Sequence, residues 1–208
     1  MNKKEELFSR YPALSICEDS LDRALSQMEK TYKSGGVIYT CGNGGSCSDS
    51  DHIVGELMKG FLNRRPILPE EKEKLSVFFP DVPAIETKFQ RAIPAVSLTA
   101  QSAVLSAFAN DVDADFMYAQ LAFGYMRPND LLIGLSTSGN SVNVVNAVKA
   151  AKMRGAGTVA MTGEKESRLS ELCDVTIRVP ERETFKIQEL HLPVYHYLCA
   201  ALEEKLFG

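Results

Sequence analysis

Five short apolar runs carry almost no polar alternation, and this pattern constrains the chain more than any other: 36–41 (GVIYTC), 95–98 (AVSL), 130–135 (DLLIGL), 158–161 (TVAM) and 175–179 (VTIRV). A strand with one wet face alternates with period two, whereas a strand apolar at successive positions is buried on both faces. Helical patterns lie between the runs. They cover 48–60, a broken pair across 101–125, 142–154 with its Gly155-Ala156-Gly157 stop, a short stretch near 166–172, and 185–206. Strand, turn and helix thus repeat about five times. This predicts an α/β fold with a doubly wound, parallel, five-stranded sheet of flavodoxin-like type, in which ligands gather at the carboxyl ends of the strands. Ahead of the first strand a helical stretch breaks at Pro12. It resumes with Leu21, Ala24, Leu25, Met28 and Tyr32 at three- and four-residue spacing, then stops at Ser34-Gly35-Gly36.

At 208 residues, 45% of them hydrophobic, the chain has material for one well-buried core and too little length for two ordinary domains. A single domain over 1–208 is expected, with N-terminal helices in 1–34. The segment 62–91 departs from the repeat. It holds Pro66, Pro69, Pro80 and Pro83, the charge run Glu70-Glu71-Lys72-Glu73-Lys74, and the apolar Val77-Phe78-Phe79. It reads as an insertion with two short helices, suited to a lid or a subunit contact. A net charge of −4 offers no global positive field for phosphate-backbone polymers, so direct nucleic-acid binding is not expected. No apolar run approaches the roughly eighteen residues needed to span a bilayer, and the N-terminus runs straight into charge, so a cytoplasmic location without a membrane partner is expected. Five scattered cysteines with no C-x-x-C pair read as buried, reduced thiols.

Four constellations carry possible chemistry. Cys41-Gly42-Asn43-Gly44-Gly45-Ser46 joins a strand to a helix, and its glycines let backbone N–H groups approach an anion, although the same composition also serves a plain tight turn. It lacks the Lys-Ser/Thr ending of a nucleotide-binding P-loop. Ser136-Thr137-Ser138-Gly139-Asn140-Ser141 sits at a second strand-to-helix junction. Four hydroxyls beside unpaired helix N–H groups make a neutral cradle for a phosphate monoester, whereas a helix cap needs only one such residue. His52 and Glu56 share one helical face, where they can chelate a metal ion, act as a base and acid pair, or form no more than a surface salt contact. Gln188 and His196 are eight residues apart, two turns plus about 80° on an ideal helix. Pro193 between them removes a backbone donor and crowds the carbonyl of residue 189, which predicts either a kink or a helix that begins near His191. Of the three histidines, His191 reads as structural.

As a set, these residues resemble the sugar isomerase (SIS) domain family, and within it the phosphoheptose isomerases. The marks are CGNGGS at 41–46, the His52/Glu56 pair, Asn110-Asp111 after AVLSAFA, STSGNS at 136–141, and Gln188-Glu189-x-His191 followed by His196. The resemblance implies one zinc ion held by His52, Glu56, Gln188 and His196, a donor set that would also suit nickel or cobalt. It assigns substrate binding to Asn43, Gly44, Gly45, Ser46, Asn110, Asp111, Ser136, Thr137, Ser138, Ser141 and Gln188. The implied reaction is aldose–ketose isomerisation of a sugar phosphate, sedoheptulose 7-phosphate to a heptose 7-phosphate, with Glu56 as base and His196 as the acid/base serving the sugar oxygens. It further implies a homotetramer with shared active sites. Two positions depart from the family pattern: Lys59-Gly60-Phe61 stands where Gly-Arg-aromatic is common after the Glu-Leu pair, and Phe185 replaces an acidic residue. The other reading is a non-catalytic SIS protein, a phosphosugar sensor or a partner of the replication initiator DnaA, which would have no need of the paired histidines.

Overall fold

The computed structural model describes residues 2–208. Helix α1 (Lys3–Arg10) starts at a capping box, in which Asn2 accepts from the Glu5 amide and the Glu5 carboxylate accepts from the Asn2 amide. A 3₁₀ segment, Pro12–Cys17, makes the expected break before α2 (Glu18–Lys33). The chain then follows β1 (Ile38–Gly42), α3 (Gly45–Met58), α4 (Pro69–Phe78), β2 (Ala95–Ser97), α5 (Ser102–Phe108), α6 (Met117–Tyr125), β3 (Leu131–Leu135), α7 (Val142–Met153), β4 (Gly157–Thr162), α8 (Arg168–Leu172), β5 (Val175–Arg178) and α9 (Thr184–Phe207).

The five strands form one sheet in the order β2-β1-β3-β4-β5, every pair parallel. This is the flavodoxin-like order, and its switch lies between β1 and β3, whose following loops therefore diverge and leave a crevice. The absence of polar alternation has its reason in the two faces. Leu131, Ile133, Leu135, Val159 and Met161 pack with residues of α1, α2, α3 and α9, while Leu132, Ala160, Tyr39 and Cys41 pack with α6, α7 and α8. Successive strand residues thus enter different cores, and both cores are dry.

Helix α9 closes one open alternative. It runs from Thr184 to Phe207 with Pro193 inside it, close to the expected 185–206, and does not restart near His191. An interior proline costs a helix about 3 kcal/mol. Here Ile187, Val194, Tyr195, Leu198 and Leu202 are buried along the same helix, and fully burying each such side chain contributes roughly 1.5–3 kcal/mol, which outweighs it. Helix α3 begins at Gly45, three residues earlier than the apolar pattern suggested, so Gly45 and Ser46 form its first turn.

In the 62–91 segment one helix, α4, and a single 3₁₀ turn at Ile85–Thr87 stand where two short helices were expected. Its base is anchored firmly. The buried Glu203 carboxylate on α9 accepts from the amides of Phe61, Leu62 and Asn63 and pairs with the fully buried Arg65 at 2.8 Å. Burial alone would raise the Glu203 carboxyl, but those amides and the guanidinium outweigh it and hold it low. Arg65 also donates to the carbonyls of Glu56 and Leu57, which ties the last turn of α3 to α9.

All five cysteines are free, with Cys17, Cys41 and Cys199 buried and Cys47 and Cys173 partly so. No helix among the described residues is long and apolar enough to cross a membrane.

Candidate active site

Two helices build the first half of the site. On α3, His52 Nε2 lies 3.2 Å from Glu56 Oε1, as their four-residue spacing requires, and Lys59 Nζ donates to the other Glu56 oxygen at 2.9 Å. Helix α9 brings His196 to the same place, its ring 5.0 Å from that of His52 and nearly perpendicular to it. Tyr195 stands edge-on to both imidazoles, and Phe61 packs against His196. Burial, with a smaller contribution from His52, pushes the His196 imidazole below its usual value, and Glu56 opposes the shift. A hydrogen-bond chain continues behind His52: its Nδ1 lies 3.0 Å from the Tyr195 hydroxyl, which donates to Asp49 at 3.2 Å. Burial raises the Asp49 carboxyl, and the tyrosine bond offsets part of the rise.

The second half lies in the loop after β3. Ser136 Oγ and Ser141 Oγ are 2.9 Å apart, Ser138 Oγ is 3.5 Å from Ser136, and the Ser138 hydroxyl accepts from the Asn140 amide. Gly139 sits at φ 66°, and a Cβ there would meet Ser167 Oγ at 2.1 Å, so only glycine lets the loop fold back against α8. Thr137 is partly exposed at the rim. The two strand-to-helix loops are clasped together: the amides of Asn43 and Asn143 donate to each other's oxygens at 2.8 and 3.0 Å. Gln188 reaches from α9 over the first loop, its amide so close to Gly45 that a Cβ there would lie 2.6 Å from Nε2.

The sequence-derived residues therefore fall into groups. His52, Glu56 and His196 meet between α3 and α9. Asn43 and Gly44 are exposed on the neighbouring loop and Gly45 is exposed at the start of α3 under Gln188, while Ser46 beside it is buried. Asn110 and Asp111 lie apart on an exposed π turn, 109–113, their side chains bonded to each other. Among the described residues no three His, Cys, Asp or Glu side chains converge as a metal-binding group. The donors nonetheless fit zinc in kind, as two imidazole nitrogens, a carboxylate and an amide oxygen. His196 Nε2 is in addition buried without a hydrogen-bond partner, a costly arrangement unless something else occupies it. His191 is wholly buried, with Nε2 3.3 Å from the Thr162 carbonyl.

Comparison with known proteins decides the family. Residues 112–201 match the SIS domain. Over 193 residues the chain is 32% identical to a phosphoheptose isomerase of Rhodospirillum rubrum, covering 93% of this chain and 89% of that one. The chain belongs to the phosphoheptose isomerase family. Another relative, a phosphoheptose isomerase of Mycobacterium bovis, is 37% identical over 177 residues, covering 85% of this chain and 78% of that one. The solved structure of phosphoheptose isomerase from Neisseria gonorrhoeae superposes with a TM-score of 0.75 at 28% identity, covering 97% of this chain and 94% of that one.

Three features of this phosphoheptose isomerase family member escape sequence reasoning: the Asp49–Tyr195 pair behind His52, the Arg65–Glu203 pair under it, and the Asn43–Asn143 clasp. Only the first left a usable trace, because Asp49 stands one turn ahead of His52 on a common helical face. The lysine found where the family pattern has an arginine one place later also gains a position, as the partner of Glu56.

Proposed function

We propose that this chain interconverts a phosphorylated ketose and aldose, with sedoheptulose 7-phosphate as the ketose, at a zinc site made by His52, Glu56, Gln188 and His196. The observation that carries the reading is the meeting of His52 and Glu56 with His196 from a distant helix, beside a clasped pair of loops built to receive an anion. A zinc ion bound there would supply Lewis-acid polarisation of the sugar carbonyl and hydroxyl oxygens.

The chain's own residues do the rest. Ser136, Thr137, Ser138 and Ser141, with the N–H groups at the start of α7, hold the terminal phosphate, so the reacting carbons are oriented from one end. Glu56 takes the proton from the carbon beside the carbonyl and returns it to the neighbouring carbon of the cis-enediol. His196 carries the matching proton between the two sugar oxygens, a role that suits an imidazole whose pKa burial lowers. Lys59 Nζ donates to one Glu56 oxygen and His52 Nε2 stands beside the other. The Lys59 pair is exposed, so giving it up to free Glu56 for the substrate costs little.

A homotetramer with shared sites completes the reading. No residue of α5, of the π turn carrying Asn110 and Asp111, or of the following 3₁₀ turn is buried among the described residues, which suits a face finished by another subunit.

The deciding experiment incubates zinc-loaded protein with ketose 7-, 6- and 5-phosphates in deuterium oxide. Deuterium in the aldose product, greatest with the 7-phosphate, is the expected result. Binding of the phosphate esters without exchange in any of them would overturn the enzyme and leave a phosphosugar sensor.

A further inference from the structure

The hydrogen-bond chain behind His52 determines which of its nitrogens is free. Tyr195 is buried, and its hydroxyl faces two groups at once, His52 Nδ1 at 3.0 Å and Asp49 Oδ1 at 3.2 Å. A phenol has one hydrogen to give. An ionised Asp49 only accepts, so the hydroxyl hydrogen belongs to the Tyr195–Asp49 bond, and the phenol oxygen then accepts from Nδ1–H of His52. In the neutral imidazole that leaves Nε2 with its lone pair directed at Glu56 Oε1, 3.2 Å away. Those two acceptors repel, a cost that the Tyr195–Asp49 bond outweighs in the metal-free chain and that a cation between them removes. The opposite assignment, hydroxyl to Nδ1 and Nε2–H to Glu56, strands the half-buried Asp49 carboxylate against a phenol oxygen with no hydrogen between them, the kind of unmet acceptor that folded proteins avoid.

We propose that Asp49 and Tyr195 are positioning residues that hold His52 in its Nδ1–H tautomer and so present Nε2, together with Glu56, to a divalent cation. The proposal rests on the metal reading of this site. Metal-bound histidines generally donate their second ring N–H to a fixed acceptor, and that acceptor sets tautomer and ring orientation. In this chain the acceptor is a tyrosine on α9, adjacent to His196, and it is oriented in turn by a carboxylate one turn ahead of His52 on α3. The relay therefore couples the two helices that carry the imidazoles. Its components are also separable by mutation, because the Tyr195 ring packs on His52 and His196 independently of the hydroxyl.

The test uses the full chain, metal-free and labelled with ¹⁵N-histidine, with the His52 signals identified by their loss in His52→Gln. Wild-type protein should show a protonated Nδ1 and an unprotonated Nε2. In Tyr195→Phe the ring packing stays and the proton should move to Nε2. Zinc affinity, measured by competition with a chelating dye, should fall about 10- to 100-fold. Asp49→Asn should move the tautomer the same way, because an amide donor turned toward the phenol frees the hydroxyl hydrogen for Nδ1. An Nε2–H tautomer in the wild type, or a Tyr195→Phe protein unchanged in both tautomer and zinc affinity, would overturn the relay. The tautomer is read without turnover, so absence of isomerase activity counts against the functional reading alone. Failure of wild-type protein to bind zinc would remove the metal reading and this proposal with it.

Discussion

The hydroxyl cradle after β3 and the imidazole–carboxylate cluster between α3 and α9 are built in opposite ways. Ser136, Ser138 and Ser141 bond one another within six residues, so much of the cradle's geometry is local to the β3–α7 junction, with Gly139 seated against Ser167. The cluster has almost no local geometry beyond the His52–Glu56 spacing. Its contact between His52 and Tyr195 spans 143 positions of sequence and exists only because α9 lies against α3. In the proposed reaction, substrate holding and proton transfer therefore fall to parts of the molecule that can be damaged separately.

The largest effect should come from the cluster. Glu56→Gln removes the base and should lower kcat by about 10³-fold while the affinity for a phosphate ester stays within about twofold, measured by turnover and by calorimetry. An equal fall in both would mean that the two regions act as one. Next comes the support beneath the cluster. Arg65→Met leaves Glu203 charged, buried and short of its partner, and should cost about 3–5 kcal/mol in urea unfolding. A small loss in the single variant would show that α3 and α9 need no such tie.

The third effect is a pH dependence. Burial holds His191 down to about 4, against 6.5 for a free imidazole, with the Thr162 carbonyl opposing the shift. Above about pH 6.5 both folded and unfolded states carry it neutral and it contributes no slope. As pH falls from there toward 4 the unfolded chain binds a proton that the folded chain refuses, so stability drops by roughly 3 kcal/mol and then levels off. His191→Gln should flatten that part of the profile, read from urea midpoints between pH 7 and 4; the same slope in both proteins would assign it to other groups. The smallest effect belongs to the cradle: Ser136→Ala should raise KM about tenfold with kcat within about twofold, since one hydrogen bond to a charged group is lost among several. A fall in kcat instead would mean that the cradle also sets the position of the reacting carbons.

The features that can be read from the chain alone are those with local causes. Doubly buried strands write themselves as unbroken apolar runs, and the turn residues after β1 and β3 announce two glycine- and hydroxyl-rich loops at the switch point. Pro193 left the start of α9 open to the same reasoning, because a local penalty says nothing of the packing that overrides it. Lys59 and Tyr195 were visible as letters but had no assignable role until the helices were in place.

The sequence by itself therefore determined the parallel sheet and the hydroxyl-rich junction after β3, both of which follow from residues a few positions apart, while the donors of the proposed metal site came from the resemblance as a whole. Only the tertiary structure decided that His196 meets His52, that Tyr195 and Asp49 stand behind it, that Glu203 holds Arg65, and that Asn43 clasps Asn143. Each of those contacts depends on how a helix is rotated and seated on the sheet. That is settled by the sum of many buried contacts, and no short stretch of sequence encodes it.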